Sequence, residues 1–233
     1  MTEKNDLHPQ KPLRVFFFGD SICFGQGISI HKGWVTRISA SLSELGLQYQ
    51  RNIVVINASH SGNTTRQALE RMPYDIQSQS PDALIIQFGM NDCNYWETDK
   101  GNPRVSPNAF AANLQEIIVR SLNFGTKAVF LHTNHPTGRD QEQLHHATLT
   151  YQESNKQYNK LIREVARNQP ENVYLNDIEA AFFAHIKGGR RNLADLLLPD
   201  QLHPSEKGHS LYFETVFPII KERLELMIQN DAI

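Results

Sequence analysis

The sequence predicts an α/β fold, with a mainly parallel sheet and helices on both of its faces. Short continuous apolar runs at residues 15–18, 53–56 and 83–86 are rich in β-branched and aromatic side chains, as buried parallel strands are. Amphipathic helical patterns lie between these runs, and no linker composition divides the chain. Strands that alternate with helices form βαβ units, and such units build a parallel sheet.

The first strand and the helix after it set this pattern. The strand is predicted at residues 14–18, and the following helix has apolar side chains at every third or fourth position. The pattern stops at Gly46, which predicts that a glycine cap ends the helix there. The recurring side chains are Trp34, Ile38, Leu42 and Leu45.

The later elements alternate in the same way. Pro73 is expected to end the second helix, because a proline inside a helix removes a backbone hydrogen bond. Ser106 and Pro107 predict the N-cap and the first turn of the third helix. Two connections, at residues 93–107 and 188–200, are long for compact units, and loops of that length are usually functional. The remaining strands are predicted at residues 53–57, 83–88, 128–132 and 173–175, and the helices at 64–72, 108–122, 151–167 and 205–228.

The composition is that of an ordinary globular chain and excludes several classes of protein. Of 233 residues, 39% are hydrophobic and 21% are charged, which disfavours a disordered chain or a disulfide scaffold. The 23 Lys and Arg residues against 25 Asp and Glu leave a net charge of -2, so we expect no nucleic-acid partner. Residues 1–12 read as a polar leader without a signal-peptide core, and no apolar run is long enough to span a membrane. We therefore expect one domain at residues 13–233 and a cytoplasmic location.

Polar blocks follow the first three predicted strands, where a ligand would bind. In an open parallel sheet, ligands bind beyond the carboxyl ends of the strands. Residues 19–22, 57–65 and 89–92 each contain more polar side chains than a turn needs. A fourth block at residues 200–204 opens the last predicted helix. These blocks are expected to meet in one site.

The four blocks contain the parts of a serine hydrolase. A serine hydroxyl becomes a nucleophile when a histidine accepts its proton and a carboxylate holds that histidine. Ser21, at a strand-to-helix turn, is the candidate nucleophile, and His203 is the candidate base. Asp200, three residues before the histidine, is the candidate acid that orients it. The backbone N–H groups of Ser21 and Gly62 and the side-chain amide of Asn91 form a candidate oxyanion hole, which suits acyl transfer.

With these blocks in this order, the chain resembles the SGNH hydrolase superfamily, also called GDSL lipases or esterases. The family markers correspond to Ser21, Gly62, Asn91 and His203, with Asp200 three residues before the histidine. The agreement covers nearly the whole chain. It implies a three-layer α/β/α sandwich of flavodoxin-like form and an ester or thioester hydrolase that needs no metal or cofactor. The departures from the family pattern are Ile22 in place of leucine, and Ser59 and Gln201 where glycine is frequent.

Other interpretations of the same residues are structural. On this interpretation Ser21 would be a helix N-cap, His203 would be a solvent-facing residue at a helix start, and Asn91 would be a turn former. The histidines between residues 132 and 146 show no zinc-site spacing, so we expect no metal site. The loop at residues 19–27 lacks the lysine and glycines of a phosphate-binding loop. No Gly-x-Ser-x-Gly elbow of the α/β-hydrolase type surrounds the candidate serine.

Candidate substrate contacts come from the loops beside the nucleophile. Tyr95 and Trp96 follow the candidate oxyanion residue and offer rings that stack on a sugar or cover an acyl chain. Asp20 is expected to bond the surrounding loops beside the substrate. The remaining candidates are His60 and Asn63.

The preferred function is hydrolysis of short acyl esters, such as O-acetyl groups on a carbohydrate. No long apolar groove of a true lipase is evident, since the leucines at residues 196–198 are expected to pack on the sheet. An anionic or sugar-linked ester is a further possible substrate, because the late loops contain Arg139, Arg190 and Arg191. The same residues would serve a thioesterase, a lysophospholipase or an acyltransferase to a sugar hydroxyl, and a non-catalytic glycan-binding protein is a further alternative. The expected partner is a small acyl ester, and the sequence does not set the oligomeric state.

Overall fold

The computed structural model describes residues 11–188 and 192–231, and a five-stranded sheet lies at its centre. All neighbouring strands are parallel. From one edge of the sheet to the other they are the second, first, third, fourth and fifth strands of the chain. This order is that of a flavodoxin-like doubly wound sheet, so the predicted fold class is confirmed. The strands are β1 (Leu13–Gly19), β2 (Ile53–Asn57), β3 (Ala83–Gln87), β4 (Ala128–His132) and β5 (Val173–Asn176).

Helices cover both faces of the sheet. On one face, the fourth helix of the chain contacts the third and the fifth. On the other face, the second and sixth helices contact the last helix. No helix in the described ranges combines the length and apolarity needed to cross a membrane. The helices are α1 (Ser21–Phe24), α2 (Trp34–Gln48), α3 (Thr65–Asp75), α4 (Pro107–Asn123), α5 (Tyr151–Arg167), α6 (Ile178–Lys187), α7 (Leu193–Leu196) and α8 (Glu206–Asn230).

The core forms where strand side chains alternate between the two helical layers. Phe17 packs edge-to-face on Trp34 of α2, with ring centroids 5.4 Å apart. Phe18, its neighbour in β1, faces the other layer and packs on Phe88 at 5.3 Å. The indole N–H of Trp34 also donates to the backbone oxygen of Ile22 at 3.0 Å. The core therefore holds the short helix α1, which begins at Ser21, against the sheet.

Gly46 does not end α2, contrary to the prediction. The helix continues to Gln48, and Gly46 is buried within its last turn. A Cβ at Gly46 would lie 2.6 Å from the backbone oxygen of Arg51, in the turn that leads into β2. The glycine therefore permits close approach of two backbone segments, which the linear pattern does not distinguish from a cap.

Pro73 does not end α3 either. The helix continues to Asp75, two residues beyond the proline. Proline cannot donate a backbone hydrogen bond to the residue four positions before it, so the helix loses one bond in this turn. Met72 and Ile76, on either side, are fully buried, and the N–H of Ile76 bonds to the oxygen of Met72 at 3.0 Å. The burial of these two side chains therefore stabilises the helical turn that contains the proline.

Helix α6 was not among the predicted elements. Asp177 is its N-cap and accepts from the N–H of Ala180 at 3.0 Å, and Ile178 and Phe182 are buried. The predicted connection at 188–200 contains the short helix α7, which packs on α8; Leu196 joins the core, whereas Leu198 is only half-buried. Arg190, Arg191 and the leader at residues 1–10 lie outside the described residues.

Candidate active site

The four polar blocks meet at the carboxyl edge of the sheet. Ser21 follows β1, the loop with Gly62 follows β2, and Asn91 follows β3. The turn at residues 200–204 precedes α8 and lies against the start of α1. Parallel strands bring residues that are far apart in the chain to one edge, and the site is built from these ends.

His203 joins the candidate nucleophile to the candidate acid. Its Nε2 lies 2.9 Å from Ser21 Oγ, and its Nδ1 lies 2.6 Å from Asp200 Oδ2. Ser21 is 7% exposed and His203 is 8% exposed, so the serine–histidine pair is sheltered but reachable from solvent. The ring can accept the serine proton on one nitrogen while the carboxylate holds the other.

Asp200 is held in its ionised form by hydrogen bonds. Its Oδ1 accepts from the backbone N–H groups of Leu202 at 2.9 Å and His203 at 3.0 Å. Burial alone raises the pKa of Asp200, but the hydrogen bonds from the His203 ring and these N–H groups outweigh burial and bring the pKa below its ordinary value. The carboxylate is therefore charged at neutral pH and stabilises an imidazolium.

The turn that carries this pair contains a left-handed residue. Gln201 has a φ of 59°, in the region that favours glycine. Glycine is frequent at this position in the family that the sequence resembles, and the backbone conformation gives the physical reason. Glutamine is accommodated at a cost of roughly 1–2 kcal/mol. The turn places Asp200 and His203 on the same side, as the three-residue spacing predicts.

The loop after β4 holds the same turn through its backbone oxygens. His135 Nε2 lies 2.8 Å from the oxygen of Leu202, and the N–H of Gly138 donates to the oxygen of Gln201 at 2.9 Å. Arg139 Nε donates to the oxygen of Asp200 at 3.1 Å. Burial lowers the pKa of His135 to about 4, so its ring is neutral and donates through Nε2. From the sequence, this histidine was weighed only as a metal ligand. Its position after a buried strand was the signal that could have indicated a place near the site.

The candidate oxyanion residues are joined by charged side chains. Asn91 Nδ2 donates to Asp20 Oδ2 at 3.3 Å, and Arg104 Nη1 donates to Asn91 Oδ1 at 3.2 Å. Arg104 Nη2 also donates to the backbone oxygen of Gly62 at 3.1 Å. Gly62 has a φ of 80°, which requires glycine, and a Cβ there would meet open space. Arg104 was not among the residues predicted from the sequence, and no local signal marks it within a long polar connection.

Asp20 bonds the loops together beneath the site. It is fully buried, and its Oδ1 caps α1 by accepting from the N–H of Ile22 at 2.9 Å. Burial raises its pKa to about 7, although the hydrogen bond from Ile22 acts in the opposite direction. The expected loop-bonding role fits this position, whereas its burial leaves no surface for a direct substrate contact.

The other candidate substrate residues lie in different settings. His60 is exposed, and the Asn63 side chain accepts from Arg71 Nε at 2.8 Å, which ties it to helix α3. Tyr95 is partly buried against the core. Trp96 is 50% exposed, and the guanidinium carbon of Arg104 lies 4.0 Å from its ring centroid. One face of the indole is therefore occupied by an arginine.

The histidines weighed as metal ligands make other contacts. His132 and His135 are fully buried, and both rings lie beside the ring of Tyr212. On the surface, His145 and His146 each lie 2.9 Å from a carboxylate oxygen of Glu97. Within residues 11–188 and 192–231, no group of three or more histidine, cysteine or acidic side chains is placed to hold a metal ion. The free cysteines Cys23 and Cys93 are both buried, and burial raises the pKa of each thiol.

Similar proteins include several ester hydrolases. The arylesterase of Vibrio mimicus is 28% identical over 127 residues, which are 54% of this chain and 58% of that protein. The esterase TesA of Pseudomonas aeruginosa is 23% identical over 206 residues, covering 88% of this chain and 87% of TesA. The crystal structure of Axe2, an acetylxylan esterase from Geobacillus stearothermophilus, superposes with a TM-score of 0.66 at 22% identity, over 87% of this chain and 91% of Axe2.

The family comparison covers the part of the chain that contains the four blocks. The model of the GDSL-like lipase/acylhydrolase family matches residues 17–211, a range that begins before Ser21 and ends after His203. The match confirms the resemblance seen in the sequence and places the chain among ester hydrolases. On this match and on the α/β fold, the chain belongs to the GDSL-like lipase/acylhydrolase family.

Proposed function

We propose that this protein is a serine esterase that hydrolyses short acyl esters, with O-acetyl groups on a carbohydrate as the preferred substrates. The observation that carries the proposal is the position of His203, 2.9 Å from Ser21 Oγ and 2.6 Å from Asp200 Oδ2. A nucleophile, a base and an orienting acid in hydrogen-bond contact form the arrangement that activates serine for acyl transfer.

The proposed reaction follows from this geometry. Ser21 Oγ attacks the acyl carbonyl carbon and passes its proton to His203 Nε2, while Asp200 stabilises the charged ring. The carbonyl oxygen becomes negative and accepts from the N–H groups of Ser21 and Gly62 and from the Asn91 amide. The alcohol leaves with the proton from the histidine. Water then attacks the acyl-enzyme and gives a proton to the histidine, which passes it to Ser21 Oγ as the acid is released.

Two observations favour a short acyl group. Leu196, which sits near the catalytic turn, is buried in the core and offers no surface to a long acyl chain. Trp96 presents a half-exposed ring close to the candidate oxyanion residue Asn91, a surface suited to a sugar. The name of one similar protein, an acetylxylan esterase, agrees with a small acyl group on a carbohydrate.

The proposal is tested by hydrolysis of p-nitrophenyl acetate by the wild type and by S21A. Loss of the nucleophile removes the acyl-enzyme route, so we expect a fall in kcat on the order of 10⁴ or more. Equal rates for the two proteins would refute the proposal. A series of p-nitrophenyl esters from acetyl to lauroyl, run beside acetylated xylo-oligosaccharides, should show the highest kcat/KM for acetyl.

The same measurements separate the alternatives. A preference for long acyl chains or for acyl-thioesters would favour a lysophospholipase or a thioesterase, and an acylated sugar product would favour transfer. A fluorophosphonate probe that fails to label Ser21 in the folded protein would favour a glycan-binding protein without catalysis. A cytoplasmic location, one domain at residues 13–233 and the oligomeric state remain matters for fractionation, limited proteolysis and size-exclusion measurements.

A further inference from the structure

The connection between β3 and α4 contains an arginine that contacts two of the three proposed oxyanion donors. Arg104 donates from Nη1 to Asn91 Oδ1 at 3.2 Å and from Nη2 to the backbone oxygen of Gly62 at 3.1 Å. We propose that Arg104 is a positioning residue that orients the Asn91 amide and the Gly62 peptide for binding the oxyanion. This inference rests on the proposed function, because it assigns a role within that reaction.

The contact with Asn91 decides which way its amide faces. An asparagine amide has an oxygen on one side and an NH₂ group on the other, and a flipped amide would present the wrong atom to an oxyanion. Arg104 donates and therefore selects the oxygen, while Asp20 accepts from Nδ2 at 3.3 Å and selects the NH₂ group. One N–H of that group is used by Asp20, and the second is left for substrate.

The contact with Gly62 restrains a residue that lacks a side chain of its own. Its φ of 80° places it in the left-handed region, and the space where a Cβ would sit is open. No side-chain packing of the glycine itself therefore fixes the peptide. The hydrogen bond from Arg104 to the Gly62 oxygen supplies a restraint from another loop. That oxygen belongs to the peptide after Gly62, and holding it limits rotation about the glycine that presents the N–H donor.

Arg104 is itself held in place. Its guanidinium stacks 4.0 Å from the Trp96 ring centroid, and its backbone N–H donates to the oxygen of Asn94 at 2.9 Å. The next residue, Val105, donates to the oxygen of Asp92 at 3.2 Å and accepts from the hydroxyl of Tyr158. A stacked, backbone-anchored guanidinium has little side-chain freedom left to lose, which suits a fixed support.

The charge of Arg104 also fits this role. Acidic side chains near the guanidinium include Asp92 and Asp20, which are fully buried, and Asp99 on the same connection. A cation hydrogen-bonded to the Asn91 oxygen polarises the amide and strengthens its N–H as a donor. Because negative charge develops on the substrate oxygen only as the reaction proceeds, this support acts mainly on kcat.

The test compares R104M and R104K with the wild type on p-nitrophenyl acetate. R104M removes both hydrogen bonds, and we expect kcat to fall on the order of 10²–10³ with KM changed by less than about threefold. R104K supplies a charge but not the planar fork that reaches both acceptors, so we expect a kcat between those of R104M and the wild type. The matched control is R167M, an exposed arginine in the last turn of α5, which should leave kcat unchanged.

Two further measurements distinguish positioning from a general loss of folding. In a double-mutant cycle with N91A, R104M should reduce kcat by a much smaller factor in the N91A background than in the wild type. The reason is that Arg104 and Asn91 act through the same amide. Millimolar guanidinium chloride should restore part of the kcat of R104A, whereas an equal concentration of urea should not. Additive effects in the cycle, or no restoration by guanidinium, would overturn the inference.

The outcome is separable from that of the proposed function. If S21A hydrolyses p-nitrophenyl acetate as fast as the wild type, the proposed function fails. If S21A is inactive and R104M keeps wild-type kcat, the reaction stands and the positioning role of Arg104 is wrong. A raised KM with unchanged kcat in R104M would identify a substrate contact and would also overturn the inference.

Discussion

The two halves of the proposed active site are held by different kinds of contact. The acid–base half is the turn that contains Asp200 and His203, and three successive backbone oxygens, at residues 200 to 202, accept hydrogen bonds from residues 135–139. The oxyanion half consists of Gly62 and Asn91, and side-chain atoms of Arg104 and Asp20 hold it. One half is therefore fixed mainly through its main chain, and the other through charged side chains.

This difference predicts how each half responds to substitution. Main-chain contacts survive most side-chain changes, so the acid–base half should lose function mainly when a reacting group or a donor to the turn is removed. The oxyanion half depends on two charged residues that touch no reacting atom, so it should be sensitive to changes in charge at a distance from the substrate. Substitutions in the two halves test this contrast.

The largest effect is expected for D200N in the acid–base half. The asparagine oxygen can still accept from the N–H groups of Leu202 and His203, so the turn should persist. Its NH₂ group would then face His203 Nδ1 and favour the ring tautomer that cannot accept the Ser21 proton. We expect kcat on p-nitrophenyl acetate to fall on the order of 10⁴. The control is D140N, at an exposed aspartate, and a loss below tenfold in D200N would contradict the assigned role.

A smaller effect is expected for H135F, which removes one of the three donors to the turn. The phenyl ring can keep the contact with Phe182, whose ring centroid lies 5.5 Å away, but the oxygen of Leu202 loses its partner. We expect a destabilisation of about 1–3 kcal/mol from the unpaired oxygen. Gly138 and Arg139 still hold the turn, so kcat should fall by about tenfold, well short of the loss for a triad residue.

The measurement is urea unfolding together with kcat at several temperatures. Loss of kcat that is as large as that of D200N would mean that the turn depends on this single donor, and the contrast between the two halves would fail. Unchanged kcat and stability would show that the contact to Leu202 is dispensable.

In the oxyanion half we expect a pH dependence of stability from Asp20. Burial raises its pKa from 3.8 to about 7. Between these values the folded chain binds a proton that the unfolded chain has released, so the free energy of unfolding falls as the pH rises. Asp92, whose pKa burial raises to about 6, contributes in the same direction. D20N should therefore flatten the decline in stability between about pH 4 and pH 7.

Urea unfolding of the wild type, D20N and the surface variant D140N at half-unit steps of pH checks this expectation. D140N should follow the wild-type curve. A D20N curve as steep as the wild type over this range would show that the buried carboxylate does not carry the effect.

Local chemistry was enough to predict most of the fold. The strand at residues 128–132 and the helix at 151–167 have the predicted limits, because apolar runs and helical periodicity are properties of neighbouring residues. Gly46 and Pro73 were misread because their meaning depends on partners: the backbone oxygen of Arg51 in one case and the burial of Met72 and Ile76 in the other. Helix α6 was missed although Asp177 marks its start.

For the site, the residues proposed to carry the chemistry can be identified from the sequence, whereas the contacts that hold them are visible only in the folded chain. Asp200 and His203 are three residues apart, so their contact is a local property, and Ser21 and Asn91 directly follow buried strands whose ends must meet. Arg104 and His135 act through contacts with distant segments, at Gly62 and Leu202. Such contacts depend on how loops from separate strands pack, and no periodicity or spacing along the chain encodes that packing.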